Sequence, residues 1–361
     1  MVGVPQGRGH VPIGARESHT LAVHQSTTAI ATFNWAILGL GNIARKFAQD
    51  LPRVEGAKLV AVGSRSAERA RAFADEFGAE HSAGSYAATF DGPRVDAVYI
   101  ATPHTGHHAL TLMCLERGIP VLCEKPLGLN ATEVEEMVAT ARRTGTYLME
   151  AVWSRFIPAL VAMKAAVDAG EIGTLEGLRA DFGFRGRPRE DFSRDRMYNP
   201  ALGGGALLDI GIYPVWLAQL LFGAPERIQA TARLTDLGAD VDTQVTLEYP
   251  GGRLAHCYST LLGDTKTDAL LLGTEGELHV HRKFHHAHGY SILRGEDVPP
   301  ENHYYAYEGN GYQFEARAVM DDLAAGRTES AQWSLGDSLQ LHRTLTEVRR
   351  LIGVRYPGEE A

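Results

Sequence analysis

The chain has 361 residues, 44% hydrophobic and 22% charged, with a formal net charge of −9. That length suits two domains with packed cores, and the acidic balance works against phosphate backbones and anionic membranes, so an anionic cofactor needs a local nest of donors. No run of about 18 apolar residues is present to span a bilayer. The cysteines Cys114, Cys123 and Cys257 lie in apolar contexts without a CxxC pair, which disfavours a zinc site or disulfide framework and fits a reducing cytoplasm.

Residues 1–32, rich in Gly, Ser, Thr and His, show no periodicity, no twin arginine and no apolar stretch after a basic start. They read as a disordered leader, not an export signal. From Phe33 the chain repeats strand, turn and helix. Trp35–Leu38 is a short apolar run closed by glycines, as a buried parallel strand should be. A helix from Asn42 to about Asp50 follows, then a strand over Leu59–Val62. Ser66 caps an amphipathic helix that runs to Phe77. Asp96–Ala101 is another buried strand, and a helix from His107 to Arg117 stops at Gly118. Ile119–Cys123, a helix over Ala131–Arg143 and a strand over Tyr147–Val152 complete the series. Repeated βα units on short connections predict a doubly wound parallel sheet, a Rossmann domain over residues 33–154.

Beyond Pro158 the rhythm changes. Val241, Thr243, Val245, Leu247 and Tyr249 alternate onto one face, Pro250-Gly251-Gly252 turns the chain, and Arg253–Leu261 returns. That is a hairpin, hence antiparallel pairing. Helical patterns near Tyr312–Ala325 and Leu335–Ile352 follow. Residues 155–361 therefore read as an α+β domain with a largely antiparallel, open-faced sheet.

Gly39-Leu40-Gly41-Asn42-Ile43-Ala44 is G-x-G-x-x-A at the junction of the first strand and first helix. The first glycine permits a tight turn, the second lets backbone approach a pyrophosphate, and the small third residue lets the helix pack close. The second strand runs into Gly63-Ser64-Arg65, with no acid until Glu68. A hydroxyl followed by a guanidinium suits a 2′-phosphate, and Arg69 adds a second charge one turn on. NADP is expected, with NAD the lesser fit, although Arg65 could merely stack on the adenine of either.

Three further segments stand out. Thr102-Pro103-His104-Thr105-Gly106-His107 follows one strand at its carboxyl end, where open α/β sheets bind ligands. Glu124-Lys125-Pro126 closes the next strand. There the Lys125 ammonium can be desolvated and its pKa lowered, or it can simply pair with Glu124. Asp209 and Tyr213, spaced i, i+4 after Gly203-Gly204-Gly205, share a helix face. They could hold a substrate hydroxyl, or serve as a cap and as packing.

Together these segments resemble the glucose–fructose oxidoreductase/inositol dehydrogenase (Gfo/Idh/MocA) family over about Phe33–Pro357. The marks are GxGxxA, Thr102-Pro103 with His107, Glu124-Lys125-Pro126, Gly311 with Glu315-Ala316, and Gly326 with Glu329-Ser330. Many relatives carry histidine four residues after the aspartate. Tyr213 stands there instead, which resembles the branch of dimeric dihydrodiol dehydrogenases, NADP-dependent D-xylose dehydrogenases and glucose–fructose oxidoreductase.

The resemblance implies hydride transfer between nicotinamide C4 and a sugar or trans-dihydrodiol carbon, without metal. Tyr213 is the acid–base, Lys125 lowers its pKa, Asp209 orients the reacting hydroxyl, and the Lys125–Pro126 peptide is cis. Thr102, Pro103, His104, His107 and Glu124 flank the cofactor. Trp153, Arg155 and Phe184 are candidates for the pocket wall, against readings of His104 as a solvated loop residue and Trp153 as core. The resemblance makes residues 155–361 the substrate and dimerisation domain: relatives pair through the open sheet face, so a homodimer or higher homo-oligomer is implied. A ketoreductase of a deoxysugar pathway would use the same residues, and an NADP-sensing regulator would not need the proton donor. His279, His281, His285, His286 and His288 cluster without a carboxylate or cysteine frame. They read as a solvent-exposed hairpin, not a metal site.

Overall fold

The computed structural model describes residues 32–186 and 195–359; the expected leader, apart from Thr32, lies outside them. Strands β1 (Phe33–Leu38), β2 (Ala57–Gly63), β3 (His81–Ala83), β4 (Ala97–Ile100), β5 (Val121–Glu124) and β6 (Leu148–Ala151) form one sheet, in the order β3-β2-β1-β4-β5-β6. Every pair is parallel. Helices α1 (Asn42–Asp50), α2 (Ala67–Phe77), α3 (His107–Leu115) and α4 (Ala131–Thr144) make the crossovers. The doubly wound sheet is therefore as expected. Ser66 caps α2 by accepting from the Arg69 N–H, and Gly118 has φ +68 just past α3, as its position suggested. Strand order reverses between β1 and β4, the switch point where such sheets bind ligands.

The second sheet takes the order β14-β13-β12-β11-β7-β10-β9-β8. Its strands are β7 (Leu175–Gly183), β8 (Arg227–Leu234), β9 (Asp240–Tyr249), β10 (Arg253–Thr260), β11 (Ala269–Gly273), β12 (Glu277–Val280), β13 (Gly289–Leu293) and β14 (Glu301–Tyr304). Neighbours are antiparallel except β7 and β10. The expected hairpin is β9–β10, with Tyr249 opposite Arg253, and Val241, Thr243, Val245, Leu247 and Tyr249 all turn inward. Against the inner face lies α6 (Ile212–Phe222), with α5 (Pro158–Asp168), α7 (Tyr312–Ala324) and α8 (Leu335–Ile352) around it. One apolar core runs from Trp35, Phe47 and Tyr99 to Tyr213, Trp216 and Leu247. Both sheets thus belong to a single unit, Thr32–Ala361.

Asp50, at the end of α1 and 1% exposed, fastens this unit across 260 residues of sequence. Its carboxylate accepts from the Asn310 N–H at 2.8 Å, the Asn310 amide at 3.1 Å and the Tyr312 N–H at 3.0 Å. Asp50→Ala would orphan these donors at the start of α7. It is expected to lower unfolding free energy by about 2–3 kcal/mol, read as the urea midpoint, with Asp50→Asn losing less.

Candidate active site

At the switch point Gly39 takes φ +86, and a Cβ there would lie 2.7 Å from the Thr102 nitrogen. Only glycine lets the ends of β1 and β4 close on each other in this way. Gly41, Asn42 and Ile43 are exposed, while Ala44 is buried against the sheet. The start of α1 has neither a side-chain cap nor an acid in its first turn, and a Cβ on Gly41 would meet nothing within 4 Å. Free amides at a positive helix end, with open space before them, fit a pyrophosphate. Beside them Ser64 is buried, and its Oγ accepts from the Ser66 N–H at 3.2 Å. Arg65 is exposed and, among the described residues, has no hydrogen bond or ion pair. Arg69 donates to the Leu40 carbonyl at 3.3 Å, over the glycine turn.

The residues expected to flank the cofactor sit in different surroundings. Pro103 is exposed and Thr102 is buried with its hydroxyl unpartnered. His107, however, is 0% exposed, and its ring nitrogens lie 2.8 and 2.9 Å from the Pro126 and Thr102 carbonyl oxygens. It is a strut joining the loops after β4 and β5. Glu124 also turns inward, accepting from the Tyr99 hydroxyl and the Lys125 N–H. His104 is buried, with Nδ1 2.9 Å from the Gly203 carbonyl. Burial, only partly opposed by Asp209, pushes its pKa down to about 3, so the ring is neutral.

The Lys125–Pro126 peptide is cis. Lys125 Nζ donates to the Asp209 main-chain carbonyl at 2.6 Å, lies 4.0 Å from Asp209 Oδ1, and sits 5.0 Å from the centroid of the Tyr213 ring. An ammonium from the first sheet thus meets a carboxylate and a phenol at the start of α6. The local geometry differs from the expected helix: Leu207–Gly211 is a π-turn leading into α6. Its wider turn is admitted where Gly211 packs on Ser259; a Cβ there would be 2.7 Å from Ser259 Oγ.

Burial opposes charge on Asp209, yet Lys125, Arg196 and His104 outweigh it and hold the carboxyl down at about 2. Burial lowers the pKa of Lys125, with Asp209 and Glu124 opposing. Tyr213 moves the other way: burial, then Glu124, raises it well above an ordinary phenol, and the hydrogen bond from Trp153 opposes the rise. Burial outweighs any pull of the Lys125 ammonium, which lies over the ring and donates to the Asp209 carbonyl. At neutral pH the phenol keeps its proton.

Trp153, expected in the pocket wall, touches Tyr213 directly. Its Nε1–H donates to the Tyr213 oxygen at 2.8 Å, and its ring stacks on Tyr312 with centroids 4.7 Å apart. Arg155 is not brought to the site, since its guanidinium donates to the Gln332 carbonyl at 3.0 Å. Phe184 is one step removed, 6.4 Å from Phe182, and Phe182 lies 5.7 Å from Tyr213.

Two groups outside the expected set lie beside Asp209 and Tyr213. Arg196 donates to Asp209 Oδ1 at 3.2 Å through both terminal nitrogens, and nothing in its arginine-rich stretch singles it out. The second is His285: the histidine segment, expected as a solvent-exposed hairpin, is not one there, because His285 is buried with its ring 5.1 Å from that of Tyr213. His279 lies 3.0 Å from Asp268 and His281 lies 2.8 Å from Ser291. Among the described residues, no group of three or more His, Cys, Asp or Glu is arranged to hold a metal ion, and no helix is long and apolar enough to cross a membrane.

Comparison with known proteins agrees with this geometry. Residues 33–152 match the family model described as an oxidoreductase family with an NAD-binding Rossmann fold, and residues 160–279 match the GFO/IDH/MocA C-terminal domain. The chain is 37% identical over 335 residues to trans-1,2-dihydrobenzene-1,2-diol dehydrogenase of Mus musculus, covering 90% of this chain and 98% of that protein. Among solved structures, aldose-aldose oxidoreductase from Caulobacter crescentus, complexed with glycerol, superposes with a TM-score of 0.79 at 25% identity. That match covers 89% of this chain and 97% of the other. A 3-ketoreductase from Actinomadura kijaniata, in complex with NADP and TDP-benzene, gives 0.78 at 26% identity, over 90% and 99% of the two chains. With both domain models matched and this identity sustained along nearly the whole described chain, the protein belongs to the Gfo/Idh/MocA family of NAD(P)-dependent oxidoreductases.

Proposed function

We propose that this chain is an NADP(H)-dependent dehydrogenase acting on a sugar hydroxyl or a trans-dihydrodiol, or reducing the corresponding carbonyl. The observation that carries this reading is the convergence of Lys125, Asp209 and Tyr213 at the carboxyl edge of the first sheet. Bound nicotinamide supplies a hydride acceptor or donor at C4. Tyr213 then holds the substrate oxygen and exchanges its proton, oriented by the Trp153 N–H. The Lys125 ammonium favours the phenolate that oxidation needs, and Asp209, fixed by Arg196, receives a substrate hydroxyl. The resting phenol, held high by burial, is already the acid that carbonyl reduction needs. That favours the reductive direction as a second reading, shared with the 3-ketoreductase named above. Pairing of two copies through the outer face of the second sheet belongs to the same proposal.

NADP is preferred in this reading because Arg65 is unpaired among the described residues and no acid stands between the end of β2 and Glu68 to bind a ribose 2′-hydroxyl. Arg65→Ala is expected to raise the Kd for NADPH by about 10- to 100-fold and leave that for NADH nearly unchanged, as measured by fluorescence titration. The function itself is tested at 340 nm with NADP and NAD against aldoses, vicinal diols and diketones. Turnover favouring NADP supports it. A chain that binds NADPH yet turns over nothing is a cofactor-sensing regulator instead.

A further inference from the structure

Between β12 and β13 a short turn, Phe284–His286, carries an imidazole against the Tyr213 ring. The turn is pinned on three sides. The Phe284 N–H donates to the Thr267 carbonyl at 2.9 Å, the Ser154 hydroxyl to the His285 carbonyl at 2.5 Å, and the Tyr307 hydroxyl to the His286 carbonyl at 3.2 Å. The His285 ring stacks on Phe182 with centroids 4.3 Å apart and lies 5.1 Å from the Tyr213 ring. It cannot swing away without breaking that packing.

His285 is 9% exposed, yet its ring makes no hydrogen bond among the described residues. Nδ1 is sealed from solvent without a partner, which leaves Nε2 as the nitrogen able to meet a ligand. Burial pushes the ring's pKa well below the ordinary histidine value, and His286, Lys125 and Lys283 act in the same direction. The neutral ring offers one donor and one acceptor. An imidazole buried to this extent keeps Nε2 without a protein partner, which is costly. Beside a phenol that holds a substrate oxygen, the group that satisfies it is a second substrate oxygen.

We infer that His285 is a specificity-determining residue that hydrogen-bonds the oxygen on the carbon next to the reacting one. The site therefore takes vicinal diols and α-hydroxy carbonyls over isolated alcohols and carbonyls. The inference rests on the dehydrogenase reading above, in which Tyr213 holds the reacting oxygen. It adds a requirement for the neighbouring one and assigns that requirement to a residue outside the Lys125, Asp209 and Tyr213 set.

The test compares kcat/KM for trans-cyclohexane-1,2-diol against cyclohexanol, and for D-xylose against its 2-deoxy analogue, with saturating NADP. Wild type is expected to favour the doubly oxygenated partner of the pair it accepts by at least about tenfold. His285→Phe, which keeps the stack on Phe182, is expected to cut that ratio by about 10- to 100-fold, mostly through KM. His285→Asn, which retains a donor and an acceptor, is expected to recover part of it. A His285→Phe ratio within about twofold of wild type overturns the inference. So does a wild-type enzyme without the preference, a result that needs no variant to fold. If wild type oxidises or reduces nothing in the wider panel, the dehydrogenase reading falls first and this inference with it.

Discussion

Tyr213→Phe is expected to lower kcat by about 10²–10⁴-fold, with the Kd for NADPH within about twofold of wild type. The substitution deletes one oxygen. Phenylalanine keeps the packing under Lys125 and against Phe182, and the cofactor cradle at Gly39–Ala44 lies on another element. The loss should therefore fall on the chemical step, with the melting temperature little changed apart from the unpaired Trp153 N–H. Turnover is followed at 340 nm and binding by fluorescence titration of the same preparation. A variant that turns over normally would show that the phenol does not exchange the proton.

Lys125→Met is expected to lower kcat/KM by about 10²–10³-fold, the scale on which a single electrostatic donor in a water-poor site contributes. Methionine keeps an unbranched stem but removes the cation. Two consequences separate this from a packing defect. First, Asp209 loses one of the cations that hold its carboxyl down at about 2, so its pKa rises, most visibly as a shift in the acid limb of the rate profile. Second, the wild-type rate falls on the alkaline side as Lys125 gives up its proton. Burial lowers that pKa from the ordinary lysine value against the pull of Asp209, so the limb lies below the ordinary lysine range. In Lys125→Met it should be gone.

The first sheet was legible because strands buried on both faces read as continuous apolar runs, as in Trp35–Leu38 and Ala97–Ile100. The edge strand β3 escaped because His81-Ser82-Ala83 has neither the length nor the pattern of a strand. In the second sheet only the β9–β10 hairpin announced itself, through its alternation and its Pro-Gly-Gly turn. Strands β12 and β14 are four residues each, and β14 is largely exposed, so local pattern says little about them.

The site divides along the same line. Gly39, Lys125, Asp209 and Tyr213 sit in motifs whose spacing can be read in one dimension. The π-turn cannot, since a helical period hides one extra residue per turn. His107 and Arg155 looked like site residues but are drawn off by the Pro126, Thr102 and Gln332 carbonyls. Arg196 and His285 matter only through what folding brings against them, Asp209 in one case and Phe182 with Tyr213 in the other.

The proximity of an ammonium and a phenol from different halves of the chain is best tested by a double-mutant cycle. kcat/KM is measured for wild type, Tyr213→Phe, Lys125→Met and the double variant in one assay. Residues that act as a unit are strongly non-additive. The double variant is therefore expected to be no slower than about the worse single variant. Losses that multiply to the product of the two singles would mean that Lys125 and Tyr213 act independently, and would contradict a shared role in proton transfer.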